Sequence, residues 1–161
     1  MNIFVLDLCP VKAAQYQCDR HVVKMVLETA QLLCTAFDDA PYKKTHVNHP
    51  CAVWTRAARG NYEWLVSHGI ALANEYKARY GKTHRSLDTI LWCNDNVHKV
   101  NTFTQAVNTP FAQAMPDQYK NANPVLAYRR YYITDKARIA RWKHGNTPDW
   151  FTKGLNGQDV L

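Results

Sequence analysis

Apolar residues recur at helical spacing along most of this chain, and no stretch of any length alternates apolar and polar residues one by one. Asn2 to Leu6 reads as a short extended lead-in. Pro10 opens a long helix running to about Ala36, in which Val22, Val23, Met25, Val26, Leu27, Leu32 and Leu33 leave little polar surface. Asp38, Asp39 and Pro41 begin a polar loop. His49-Pro50 reopens helix, because proline suits a first turn. Gly60 interrupts that helix, and Asn61 is placed to cap the next segment. Leu65, Leu72, Ala73, Tyr76 and Tyr80 mark a further helix, with Gly81 as its stop. Ser86 is the candidate cap of another, whose inner face is Leu87, Ile90, Leu91, Val97 and Val100. Residues 102–123, with Pro110 and Pro116, predict irregular structure, and Pro124 starts a basic helix reaching Trp142. Beyond Gly145 the anchors are Trp150 and Phe151. The pattern predicts a mainly α protein: a single compact helical domain with a short extended N-terminal segment, residues 1–151, then a loosely ordered tail, 152–161.

One stripe breaks the apolar pattern of the first helix. His21, Lys24, Glu28 and Gln31 step by three or four residues and therefore share a face. Burying a histidine, a lysine and a carboxylate is costly unless they pair or are put to use. A Lys24–Glu28 ion pair, with His21 donating to a carbonyl, is the purely structural explanation. A catalytic face, with Glu28 moving a proton and His21 positioning substrate, is the other.

Composition narrows the classes. With 161 residues, 47% of them hydrophobic and 20% charged, the chain fits one ordinary globular domain. MNIFVLD lacks the pattern of a signal peptide, and no apolar run approaches the roughly 18 residues of a membrane span. Five irregularly spaced cysteines suit free thiols, so a cytoplasmic location is expected.

The net charge of +7 is concentrated. From Lys120 to Lys143 seven basic residues, Arg129, Arg130, Lys136 and Arg141 among them, face the single acid Asp135. Tyr128, Tyr131, Tyr132 and Trp142 are interleaved with them. Cations neutralise phosphates and aromatic faces stack on exposed bases, so a nucleic acid is the expected partner. A solvated helix with its aromatics turned into the core fits the same run.

Three smaller sets complete the inventory. Arg20 and Lys24 flank the polar stripe, and His46 and His49 sit in the following loop as candidate phosphate or substrate contacts. Lys82 and His84 follow a helix end, where cations also favour the helix dipole. Cys18, His21, His46, His49 and Cys51 are zinc-type ligands, but their spacing matches no standard finger, and no metal or other cofactor is expected. No phosphate loop, GxSxG or HExxH is present.

Three stretches resemble the phage pyrimidine-dimer DNA glycosylase family of endonuclease V type. Asp19-x-His21 with Glu28 seven positions on resembles the family's first helix and its catalytic glutamate. Glu63-Trp64-Leu65 with Leu72 and Glu75 resembles its middle helix, and Tyr128-Arg129-Arg130-Tyr131-Tyr132 with Lys136-Ala137 its aromatic, basic C-terminal run. The resemblance implies a small helical enzyme that needs no metal and acts on double-stranded DNA as a monomer. Its nucleophile would be the N-terminal amine, attacking C1′ of the damaged nucleotide and forming a Schiff base, after which elimination can nick the strand. α-Amino groups titrate at about 7.7–8.0, so a nucleophilic fraction exists at neutral pH.

Two positions depart from the family pattern. The family exposes a small residue after methionine removal, whereas residue 2 here is Asn2, bulky enough to keep methionine in place, so the Met1 amine becomes the candidate nucleophile. Leu27 and Gln31 stand where the family has arginines. Pyrimidine dimers lead as the substrate, with abasic sites and modified bases as the other lesions. A non-enzymatic helical nucleic-acid-binding protein is the alternative reading of the same residues.

Overall fold

The computed structural model describes residues 1–144 and 146–161, and among them it contains seven α-helices and no strand. They are α1 (Pro10–Tyr16), α2 (Asp19–Cys34), α3 (Pro50–Ala57), α4 (Arg59–Tyr80), α5 (Leu87–Asp95), α6 (Pro124–Tyr131) and α7 (Asp149–Leu155). The mainly α expectation holds. α4 is the central element and packs against α1, α2, α3 and α5. Its buried residues, among them Tyr62, Leu65, His68, Ala71, Leu72 and Ala73, occupy more than one face, as a helix surrounded on several sides requires. No helix is long and apolar enough to cross a membrane among the described residues.

The helix expected from Pro10 to Ala36 is two helices. Gln17 and Cys18 are extended, with ψ of 139° and 162°. Neither glycine nor proline marks this corner; long-range polar contacts make it. Asp19 N–H donates to Arg141 O at 2.8 Å, Cys18 N–H donates to Tyr132 Oη at 3.1 Å, and the buried Gln17 amide donates to His68 Nε2 at 3.1 Å. Arg79, reaching over from α4, then fills the bend. It donates to Gln15 O and Gln17 O and pairs with Asp19 and Glu75, both at 3.1 Å.

The break between α3 and α4 falls at Ala58, ahead of Gly60. Arg59 and Gly60 N–H groups donate to Gln105 O and Ala106 O, so the segment after α5 zips onto this corner. Gly60 serves close approach: a Cβ there would run into the Asn108 side chain. Asn61 is no cap; its side chain bridges Trp54 O and Thr109. Gly81 does end α4, with φ of 75°.

The basic helix stops well before Trp142. α6 ends at Tyr131 and widens into a π turn over Tyr132–Lys136. Residues 152–161, expected as a loose tail, carry the end of α7 and the buried Val160. Arg129 holds this end in place, donating to Val160 O at 2.6 Å and to Leu6 O at 2.9 Å, with Trp150 against its guanidinium.

Candidate active site

The N-terminal segment runs through the core, with Ile3, Phe4, Val5 and Leu6 all buried. Asn2 shapes its start. Its buried side-chain oxygen accepts from the N–H groups of Ile3 at 2.8 Å and Phe4 at 3.2 Å, while its amide donates to Ala114 O at 2.8 Å. The Phe4 backbone is left-handed, φ 43°, a conformation that costs a non-glycine residue of order 1–3 kcal/mol. Such strain persists only where the surroundings over-determine it. Here the Asn2 bonds and a Leu6 N–H bond back to Phe4 O at 2.8 Å do so.

This arrangement delivers the chain's amino terminus to the polar stripe of α2. The Met1 amine lies 3.2 Å from Glu28 Oε1, in a cavity of about 490 Å³. The Met1 side chain itself is 3% exposed, so what Met1 presents to solvent is its backbone end. Glu28 is buried and its Oε2 has no hydrogen-bond partner among the described residues. Lys24 Nζ stands 3.6 Å from that oxygen, attracted to it without bonding. Lys24 is exposed, so the sequence expectation of a buried lysine fails, as does that of an apolar surround: Val23 and Leu27 are exposed as well.

His21 enters the same cavity about two turns before Glu28 on α2. Its ring stacks on Phe4 at 4.3 Å with 17° between planes, and the Tyr131 ring lies near-parallel to Phe4 at 6.4 Å. Burial, then the charges of Lys136 and Lys24, push the His21 pKa down to about 3, so the imidazole is neutral at neutral pH. His49 is also held below its ordinary value, by burial first and then by the N-terminal amine and His46. Lys120 and Lys136, with Tyr131, reach the cavity from the C-terminal part of the chain. The basic run and the His21–Glu28 face therefore share one cleft, in which Glu28 is the single acid facing three lysines.

The other expected contacts separate into two groups. Tyr128, Tyr132 and Trp142 are core residues, and Arg129 is buried with its donors committed to backbone oxygens. They are therefore corrected from stacking and phosphate contacts to packing residues, because α6 and the π turn bury Tyr128, Arg129 and Tyr132, and Trp142, beyond the helix, packs against Tyr132 and Phe151. Arg20, His46, Lys82, Arg130 and Arg141 are exposed and line no part of this cavity. His84 spends both ring nitrogens locally, on Val23 O and Ser86 N–H. Cys18 and Cys51 are buried, and no three His, Cys, Asp or Glu side chains converge as a metal site among the described residues. Asn2 and Lys120 are the cleft-lining positions that helical spacing does not disclose. The first sits in no helix, and the second meets the cleft only through tertiary folding.

No curated protein and no solved structure matches this chain. A family model does, over residues 1–89, which holds Met1, Asn2, His21 and Glu28 and ends inside α5. With the amine and the carboxylate at contact distance inside that stretch, and more than half of the chain covered, the conclusion is direct: this chain belongs to the pyrimidine dimer DNA glycosylase family.

Proposed function

We propose that this protein excises a damaged base from double-stranded DNA, pyrimidine dimers first among the lesions, through the Met1 amine and Glu28. The supporting observation is the 3.2 Å approach of the Met1 amine to Glu28 Oε1 in a cleft walled by lysines. The amine's lone pair forms a bond to C1′ as the glycosidic bond breaks. The base leaves with that bond's electron pair and takes the proton the amine gives up. Nitrogen then drives opening of the C1′–O4′ bond, O4′ takes a proton, and a cationic Schiff base results. Glu28 stabilises this positive charge and removes a C2′ proton, and elimination expels the 3′ phosphate, cutting the strand. The orphaned Oε2 of Glu28 is the oxygen free for that proton. Lys24, Lys120 and Lys136 hold the phosphates on either side of the reacting sugar.

Borohydride trapping tests this. The protein is mixed with duplexes carrying an abasic site or an ultraviolet-induced dimer, with and without chemical blocking of the N-terminal amine. A covalent adduct that blocking removes is expected. Salt-sensitive binding with no adduct on either duplex would sink the proposal in favour of a binding protein. Glu28→Gln is expected to lower turnover by at least about a hundredfold with DNA affinity preserved, the scale of losing a charge-stabilising group.

A further inference from the structure

Tyr132 has one proton to give and three neighbours around its hydroxyl. Cys18 N–H donates to the phenol oxygen at 3.1 Å, His21 Nδ1 lies 2.5 Å away, and Cys18 Sγ lies 3.5 Å away. Two proton arrangements satisfy this geometry. In one, the phenol donates to His21 Nδ1, which leaves the imidazole proton on Nε2. In the other, Nδ1–H donates to the phenol and the phenol donates to the Cys18 sulfur, which leaves Nε2 bare.

The first arrangement is the stronger. Imidazole nitrogen is a good acceptor and a thiol sulfur a weak one. The short contact falls on the nitrogen and the long one on the sulfur. Burial keeps the Tyr132 phenol protonated and therefore a donor, since its pKa is raised well above the ordinary tyrosine value. Burial also keeps His21 neutral. The ring is fixed in place besides, stacked on Phe4 and edge-on to Tyr132.

We infer that Tyr132 is a positioning residue that locks His21 in its Nε2–H tautomer, making His21 a neutral hydrogen-bond donor to a substrate oxygen in the cleft. The inference about substrate rests on the glycosylase reading, whereas the tautomer does not. A neutral donor offers a proton for sharing without adding a fourth positive charge beside the Met1 amine, and it leaves proton removal to Glu28. A preset tautomer also spares the ring any reorganisation when substrate arrives.

Long-range proton–nitrogen correlation spectra of the histidine rings test this in the free protein, His21→Gln supplying the assignment. The expected spectrum has His21 protonated on Nε2 with Nδ1 bare, and Tyr132→Phe converts it to a tautomer mixture. A wild-type ring protonated on Nδ1, or a spectrum that Tyr132→Phe leaves unchanged, overturns the proposal. Trapping kinetics supply the second readout. Glutamine carries an N–H near the Nε2 position, so His21→Gln should lose less than about tenfold in adduct formation and His21→Leu more than about a hundredfold. Equal losses in the two variants would also overturn it. Absence of any wild-type adduct would defeat the glycosylase reading, and the spectrum would still decide the tautomer.

Discussion

At the scale of single residues, Asn2 sets where the Met1 amine lies, which is what the proposed reaction needs. The two bonds to its side-chain oxygen curl the backbone, and the amide ties that curl to Ala114. Asn2→Leu keeps Met1 but removes all three bonds. Displacing a reacting group by about 1 Å costs on the order of a hundredfold, so adduct formation should fall by about that factor. DNA affinity should stay within about twofold, because Asn2 touches no phosphate-facing lysine. Intact-mass measurement on the variant verifies that Met1 is present, and unaltered trapping by Asn2→Leu would show that the segment places itself. Much of the site was readable at this scale. His21 and Glu28 stand seven residues apart on α2, a spacing that periodicity converts directly into a shared face. Asn2 was readable only as a bulky residue in the wrong place. Its role depends on bonds to its own backbone and to a carbonyl 112 positions away.

The helices hold the site through the corner between α1 and α2. Arg79 and His68, both on α4 and both buried, brace it from one side. Arg79→Met removes the cation from a buried network and leaves the Asp19 carboxylate with only the Lys143 N–H, so unfolding in urea should show a loss of about 3–5 kcal/mol. His68 donates from Nδ1 to Pro10 O and accepts from Gln17 at Nε2, a pairing that only the neutral ring can make. Burial accordingly lowers its pKa to about 4. Below its ordinary 6.5 the unfolded chain takes up a proton that the folded chain refuses, so stability falls with pH down to about 4 and is complete above 6.5. At about 1.4 kcal/mol per unit this is roughly 3 kcal/mol. His68→Gln, which keeps a donor and an acceptor without titrating, should flatten the thermal midpoint between about pH 6.5 and pH 4. A midpoint as acid-sensitive as wild type would assign the loss elsewhere, His21 being the other buried neutral ring. Helix type was legible because apolar residues recur at helical spacing, most clearly along α2, but helix number was not: the stretch from Pro10 to Ala36 is α1 and α2, and α7 was not foreseen. The corner at Gln17–Cys18 was not, because its sequence forms helix readily and distant partners forbid it.

Across the whole molecule, charge sets how substrate arrives. The sequence located six of the seven excess positive charges between Lys120 and Lys143 but not their direction. Folding sorts them: Arg129 turns inward to anchor Leu6 and Val160, whereas Lys120 and Lys136 turn to the cleft, where Lys24 of α2 faces them. These three lysines raise the potential around one carboxylate and one amine, which favours a polyanion in the cleft. Each lysine that neutralises a phosphate adds about 0.9 to the slope of log affinity against log salt. Lys120→Gln and Lys136→Gln should each flatten that slope by about 0.9, and together by about twice as much, with folding intact because Lys120 is exposed and Lys136 is only half-buried. Arg129→Gln should behave differently. It should lower the unfolding midpoint and leave the salt slope of the folded fraction unchanged, because its guanidinium faces carbonyls and rings inside the protein. A slope that responded to Arg129 and ignored Lys136 would place the DNA on another face of the molecule, and with it the chemistry assigned to Met1 and Glu28.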